Sequence, residues 1–163
     1  MNKKRISVYT FNIDNKENIY MSNDTEMLLK ECDSGVKMGL SSFNDILEYI
    51  KDSNLKTLIL DSKFKHENLH NEIEKLLIKY HLYGKDPSPL IKGSSWIKTK
   101  FELLMNDDDK AIASLMVDGS NMGVKTLSQR LNKHKNASED VKNITKKIID
   151  IESEFSINLR QFL

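Results

Sequence analysis

His66-Glu67-Asn68-Leu69-His70 is the stretch of this 163-residue chain whose residue types and spacing most sharply suggest a chemistry. On a helix, positions i and i+4 place two imidazoles on one face. A glutamate between them can act as base toward a metal-bound water, as in the H-E-x-x-H pattern of zinc metallopeptidases. Such a site needs a third protein ligand and an open fourth position. The residues that follow, Asn71-Glu72-Ile73-Glu74, lack the downstream Gly and His of the extended pattern, and nothing marks Glu102 as the missing ligand. The plainer expectation is two histidines partly facing a helical interior, with Glu67 in solvent.

Glu67 and His70 also form an E-x-x-H. In di-iron helical bundles two helices each supply one Glu and the other two each supply E-x-x-H. Glu31, Glu67 and His70 make one half of such a set, and His66 stands beside them. The second half can be checked, because the chain repeats itself. Asp33-Ser34-Gly35-Val36-Lys37-Met38-Gly39-Leu40 and Val117-Asp118-Gly119-Ser120-Asn121-Met122-Gly123-Val124 align at an offset of 84 positions, and an offset of 86 aligns Leu55 with Val141, Leu58 with Ile144, and Leu69 with Phe155. The counterpart of Glu31 is then Leu115, and those of Glu67 and His70 are Ser153 and Ser156. Neither serine nor leucine replaces a carboxylate or an imidazole. Asp118 and Glu152 lie close in sequence but off those three positions. A metal site of iron, manganese or zinc on Glu31, Glu67, His66 and His70 is therefore the alternative expectation, and a protein without a cofactor the leading one.

The repeat also carries four glycines, Gly35, Gly39, Gly119 and Gly123, on apolar helix stripes. Glycine inside a helix costs roughly 1 kcal/mol relative to alanine, so each needs a compensation. Close approach of two helix backbones at a crossing is the expected one. A lined groove admitting a ligand or a partner helix is the other.

The elements that must position these residues follow from apolar periodicity. Helix one opens near Asn23, with Asn23 and Glu26 in capping-box spacing. It carries Leu28, Cys32, Phe43, Ile46 and Ile50. Helix two runs from about Leu55 to Tyr80. A proline-containing crossover, 82–90, leads to a short helix over 96–105. Asp107 to Asp109 put negative charge at the start of helix three, and Arg130 and Lys133 close it, both as the helix dipole prefers. Ser138 caps helix four, with Glu139 and Asp140 in its first turn. Alternation over residues 5–11 predicts a short β arm in segment 1–21, ahead of a helical body in 22–163.

Composition bounds the rest. A formal net charge of +1 gives no global pull toward nucleic acid or anionic membranes. No apolar run is long enough to span a bilayer, and no signal core follows the basic N-terminus. One cysteine, Cys32, excludes an internal disulfide and fits a reducing, cytoplasmic setting. On its apolar stripe it reads as a buried inert thiol. His81 and His134, near helix ends, read as surface residues, and Met38, Met116 and Met122 as core filler.

Residues 25–163 resemble a bacterial ferritin-like four-helix-bundle family of unknown function. The resemblance lies in the segment Leu55 to Tyr80, the stretch 95–103, Ala111 to Val124 and the closing helix. It implies an all-α, ferritin-like bundle of two pseudo-repeated helical hairpins joined by a crossover helix. The resulting expectation is a non-enzymatic protein acting through helix-surface or subunit association, with the N-terminal arm as a possible homo-oligomer contact.

Overall fold

The computed structural model describes residues 21–83 and 108–163. The expected β arm, the crossover beyond Tyr83 and the short helix over 96–105 lie outside them. Among the described residues four long helices pack as a bundle: α1 (Asn23–Ile46), α2 (Ser53–Lys79), α3 (Asp109–Lys133) and α4 (Glu139–Leu159), followed by a single 3-10 turn, Arg160–Phe162. None is long and apolar enough to cross a membrane.

Local chemistry sets the helix ends. Ser22, one residue earlier than the sequence reading, caps α1 by accepting from the Thr25 N–H at 3.1 Å. Asp52 accepts from the Asn54 and Leu55 N–H groups, both at 2.8 Å, and Asp108 accepts from Lys110 at 3.1 Å. These side chains satisfy donors that an α-helix leaves open at its start. Ser138 occupies the cap of α4 but makes no side-chain capping bond. His81 ends α2 with φ of 55°, and the Leu82 N–H reaches back to the Leu77 carbonyl at 2.7 Å, which is a Schellman stop.

The short links after α1 and α3 make two antiparallel hairpins, and each first-turn acid ties down the other hairpin's link. Asp24 on α1 accepts from the backbone and side-chain N–H of Asn136 and from His134 Nδ1. Asp109 on α3 accepts from the backbone N–H groups of Lys51 and Asp52 at 2.9 and 2.7 Å. His134 is only 5% exposed, so its expected surface position is corrected: the clasp to Asp24 draws the ring inward. On α2 and α4, the Tyr80 hydroxyl and the Lys79 ammonium both donate to Asp140.

The described residues form two apolar clusters in the interior. One contains Leu28, Cys32, Val36, Leu69, Ile73, Val141, Ile144 and Ile148. The other contains Phe43, Ile46, Leu55, Ile59, Ile112, Met116, Phe155 and Leu159. On every helix the stretch between the clusters includes a residue that breaks the apolar stripe: Gly39 on α1, His66 on α2, Gly123 on α3 and Glu152 on α4. The candidate site is built in this layer.

Candidate functional site in the glycine layer

His66 is wholly buried, and both ring nitrogens are engaged. Nδ1 lies 2.8 Å from the Ser62 carbonyl and Nε2 lies 2.8 Å from Glu152 Oε1. A carbonyl can only accept, and a carboxylate accepts too, so the ring donates from both nitrogens as an imidazolium. Burial pushes this imidazole toward neutrality. The Glu152 hydrogen bond and charge, with the Ser62 carbonyl, outweigh that push and raise its pKa above the ordinary value. Phe43 turns its ring edge-on to His66 at 5.0 Å and packs likewise on Phe155 at 5.6 Å. The ion pair is therefore walled by aromatic surface, and Glu152 is only 14% exposed.

Gly39 makes room for this ring. A Cβ there would stand 3.0 Å from His66 Cδ2 and 3.2 Å from Nε2. At Gly123 a Cβ would meet Glu152 at 3.9 Å, and at Gly35 it would meet nothing within 4 Å among the described residues. The expected explanation of these glycines, two helix backbones in close contact, is thus corrected at Gly35 and Gly39. Gly39 accommodates a side chain from a third helix, α2, and Gly35 faces space that no described residue fills.

That space is a groove of about 120 Å³ between α1 and α3, with α4 contributing Ile148, Glu152 and Phe155. All four glycines line it, with Met38, Phe43, Met116, Met122 and Leu127. Met122 is 45% exposed, so only Met116 of the three methionines is fully buried. Glu31 also lines the groove. It is 6% exposed, its Oε1 lies 3.3 Å from Arg130 Nη2, and its Oε2 is buried with no hydrogen-bond partner among the described residues.

The four residues singled out from sequence thus have different surroundings. His66 points inward and Glu31 lines the groove. Glu67 is exposed on the other side of α2, and His70 is partly exposed with Nε2 3.6 Å from Glu74. Among the described residues no group of three or more His, Cys, Asp and Glu side chains is arranged to hold a metal ion. Glu152 is the functional candidate that sequence reasoning passed over. The signal was present: the offset of 86 that aligns α2 with α4 places His66 opposite Glu152.

Cys32 is buried and lies 3.1 Å from the Thr145 hydroxyl. Burial pushes its thiol up to about 12, which makes it a poor nucleophile.

No protein-family model, curated protein or solved structure matches the chain.

Proposed function

We propose that this chain is a cytoplasmic, ferritin-like bundle of two repeated hairpins that works by association, without a cofactor, and that the α1–α3 groove is its binding surface. The observation that carries this reading is the space that the described residues leave open in front of Gly35. Four helix-destabilising glycines line one apolar groove, and at Gly35 no neighbour among the described residues compensates. A cavity with apolar walls and a few polar groups is the usual form of a small-molecule site. The metal alternative is less well supported, because Glu67 faces solvent and both His66 nitrogens are already bonded.

Methionine methyl groups report on the groove directly. With ¹³C-methyl methionine, titration with toluene is expected to shift Met38, Met116 and Met122 saturably and to leave Met27 in place. Met27 lies on the exposed side of α1, outside the groove lining. Absence of any saturable shift at those three methionines would reject the groove as a binding surface.

A further inference from the structure

We infer that the outward face of α2 docks a second copy of this chain, the two α2 helices packing antiparallel about a twofold axis beside Phe64. This surface is separate from the groove, because no described residue of α2 lines the groove. The inference therefore stands or falls independently of groove binding.

The face is marked first by what it exposes. Leu60 and Phe64, one turn apart, are 47% and 61% exposed, and Ile78 is 60% exposed. Leu60, Phe64, Asn71 and Ile78 follow in steps of four, seven and seven residues, which keeps them on one outward ridge. The buried row Ser62, His66, Leu69 and Ile73 occupies the opposite side of the helix. Single exposed hydrophobics need no explanation. A leucine beside a phenylalanine on one ridge is different, and aromatic side chains are the usual anchors of interfaces.

Charge decides the occupant. Lys56, Lys63, Glu67 and Glu74 follow in steps of seven, four and seven, along one flank of that ridge. Lys63 and Glu67 stand two residues either side of position 65, and Lys56 and Glu74 stand nine either side. The flank is thus basic in its first half and acidic in its second, and the sign changes beside Phe64. A twofold axis there brings the same flank of both helices together, running in opposite directions. Lys63 then meets Glu67 of the partner subunit, and Lys56 meets Glu74 of the partner subunit, each pair occurring twice. A parallel pairing would put lysine level with lysine and glutamate level with glutamate, which like charges oppose.

The helix by itself does not favour this order. The ion pairs Glu26–Lys30, Asp33–Lys37 and Asp61–Lys65 all place the acid first. Lys63 and Glu67 have the same spacing in the reverse, weaker order, and they form no ion pair among the described residues. On the other flank Asp61, Glu72 and Lys79 already pair with Lys65, Lys147 and Asp140. The charges of the first flank are the ones left to a partner.

The test is sedimentation equilibrium of the full chain. Wild type is expected to associate reversibly to twice the chain mass of 18.9 kDa, and less so as sodium chloride rises from about 0.05 to about 0.5 M. Phe64→Asp is expected to raise the dimer Kd by at least about thirty-fold, the loss of one interface anchor. Lys56→Glu/Lys63→Glu makes the flank wholly acidic, and Glu67→Lys/Glu74→Lys makes it wholly basic. Each double variant is expected to be monomeric alone, and the two to form a one-to-one dimer when mixed. These variants keep Phe64, so they decide the matter if Phe64→Asp does not fold. A wild type that stays at the mass of one chain up to about 1 mM would overturn the inference. So would a dimer that Phe64→Asp leaves intact, or charge variants that do not pair on mixing.

Discussion

Gly39→Ala and Gly35→Ala are chemically the same change, one helical turn apart, and only the second is expected to stabilise. Each removes a helix-interior glycine, which by itself stabilises by roughly 1 kcal/mol. At Gly35 the new methyl meets nothing within 4 Å among the described residues, so the full gain is expected. At Gly39 the methyl would stand 3.0 Å from His66 Cδ2, so the ring must retreat by a few tenths of an ångström. It has little freedom to do so. Nδ1 is held by the Ser62 carbonyl, Nε2 by Glu152, and the Phe43 ring lies at 5.0 Å. Overpacking of this kind costs about 1–3 kcal/mol, which leaves Gly39→Ala neutral to about 2 kcal/mol destabilised. The two variants should differ by about 1–3 kcal/mol in urea unfolding, or several degrees in Tm. The control is His66→Ala. With the ring gone, Gly39→Ala should recover its propensity gain and stabilise that background by about 1 kcal/mol. If Gly39→Ala stabilises the wild type as much as Gly35→Ala does, the ring is free to move and the argument for a pinned imidazolium fails.

Further outcomes follow from the same contacts. Because the folded His66 has a raised pKa, its pairing with Glu152 contributes fully below the ordinary value of 6.5 and is lost as pH rises through the folded-state pKa. The stability advantage of wild type over Glu152→Gln should therefore shrink as pH rises above 6.5, and a constant difference would contradict a charged pair. Burial opposes the charge of Asp140, but Lys79 and Tyr80 outweigh it and hold its carboxyl at about 2, below 3.8. Its contribution is present above 3.8 and lost as pH falls toward about 2. Discounted for solvent exposure, Asp140→Asn should cost about 1 kcal/mol near neutrality and nothing at the acid end, read from unfolding curves across pH. His81 sits in the left-handed region at φ of 55°, so His81→Gly should raise stability by about 0.5–1 kcal/mol, and a loss would show that its side chain matters. Native Cys32 should react with iodoacetamide only at the rate at which the protein opens, and rapid labelling without denaturant would contradict its burial.

Much of the fold was legible because helices announce themselves locally. The steps of three and four residues marked the buried faces of all four helices, including Leu28, Cys32, Phe43, Ile112, Val141 and Phe155. Helix starts were readable to within about two residues, since Asp52, Asp108 and Ser138 are short polar side chains just ahead of each apolar run. The His66 environment was not legible. Sequence reading treated His66 as a metal ligand or a half-exposed residue, because the motif drew attention to Glu67 and His70. On the helix, Glu67 lies about 100° around from His66, and the buried face runs through Ser62, His66, Leu69 and Ile73. His134 was misplaced for a related reason. Its burial comes from Asp24, 110 positions away, which no local pattern contains.

Sequence alone determined that the described residues form four amphipathic helices, where each begins, and that helix-breaking glycines recur on two of the stripes. These follow from interactions within a few residues, which periodicity and capping chemistry record. Only the tertiary structure decided what the glycines are for. The cost of Gly39 is local, but its use is set by a ring brought from another helix. The same holds for the His66–Glu152 pair, two residues 86 positions apart that meet only when α2 packs on α4. It holds too for the groove, which depends on α1 and α3 standing apart. A helix face can be read from one chain segment, but the distance between two faces is fixed by every side chain packed between them.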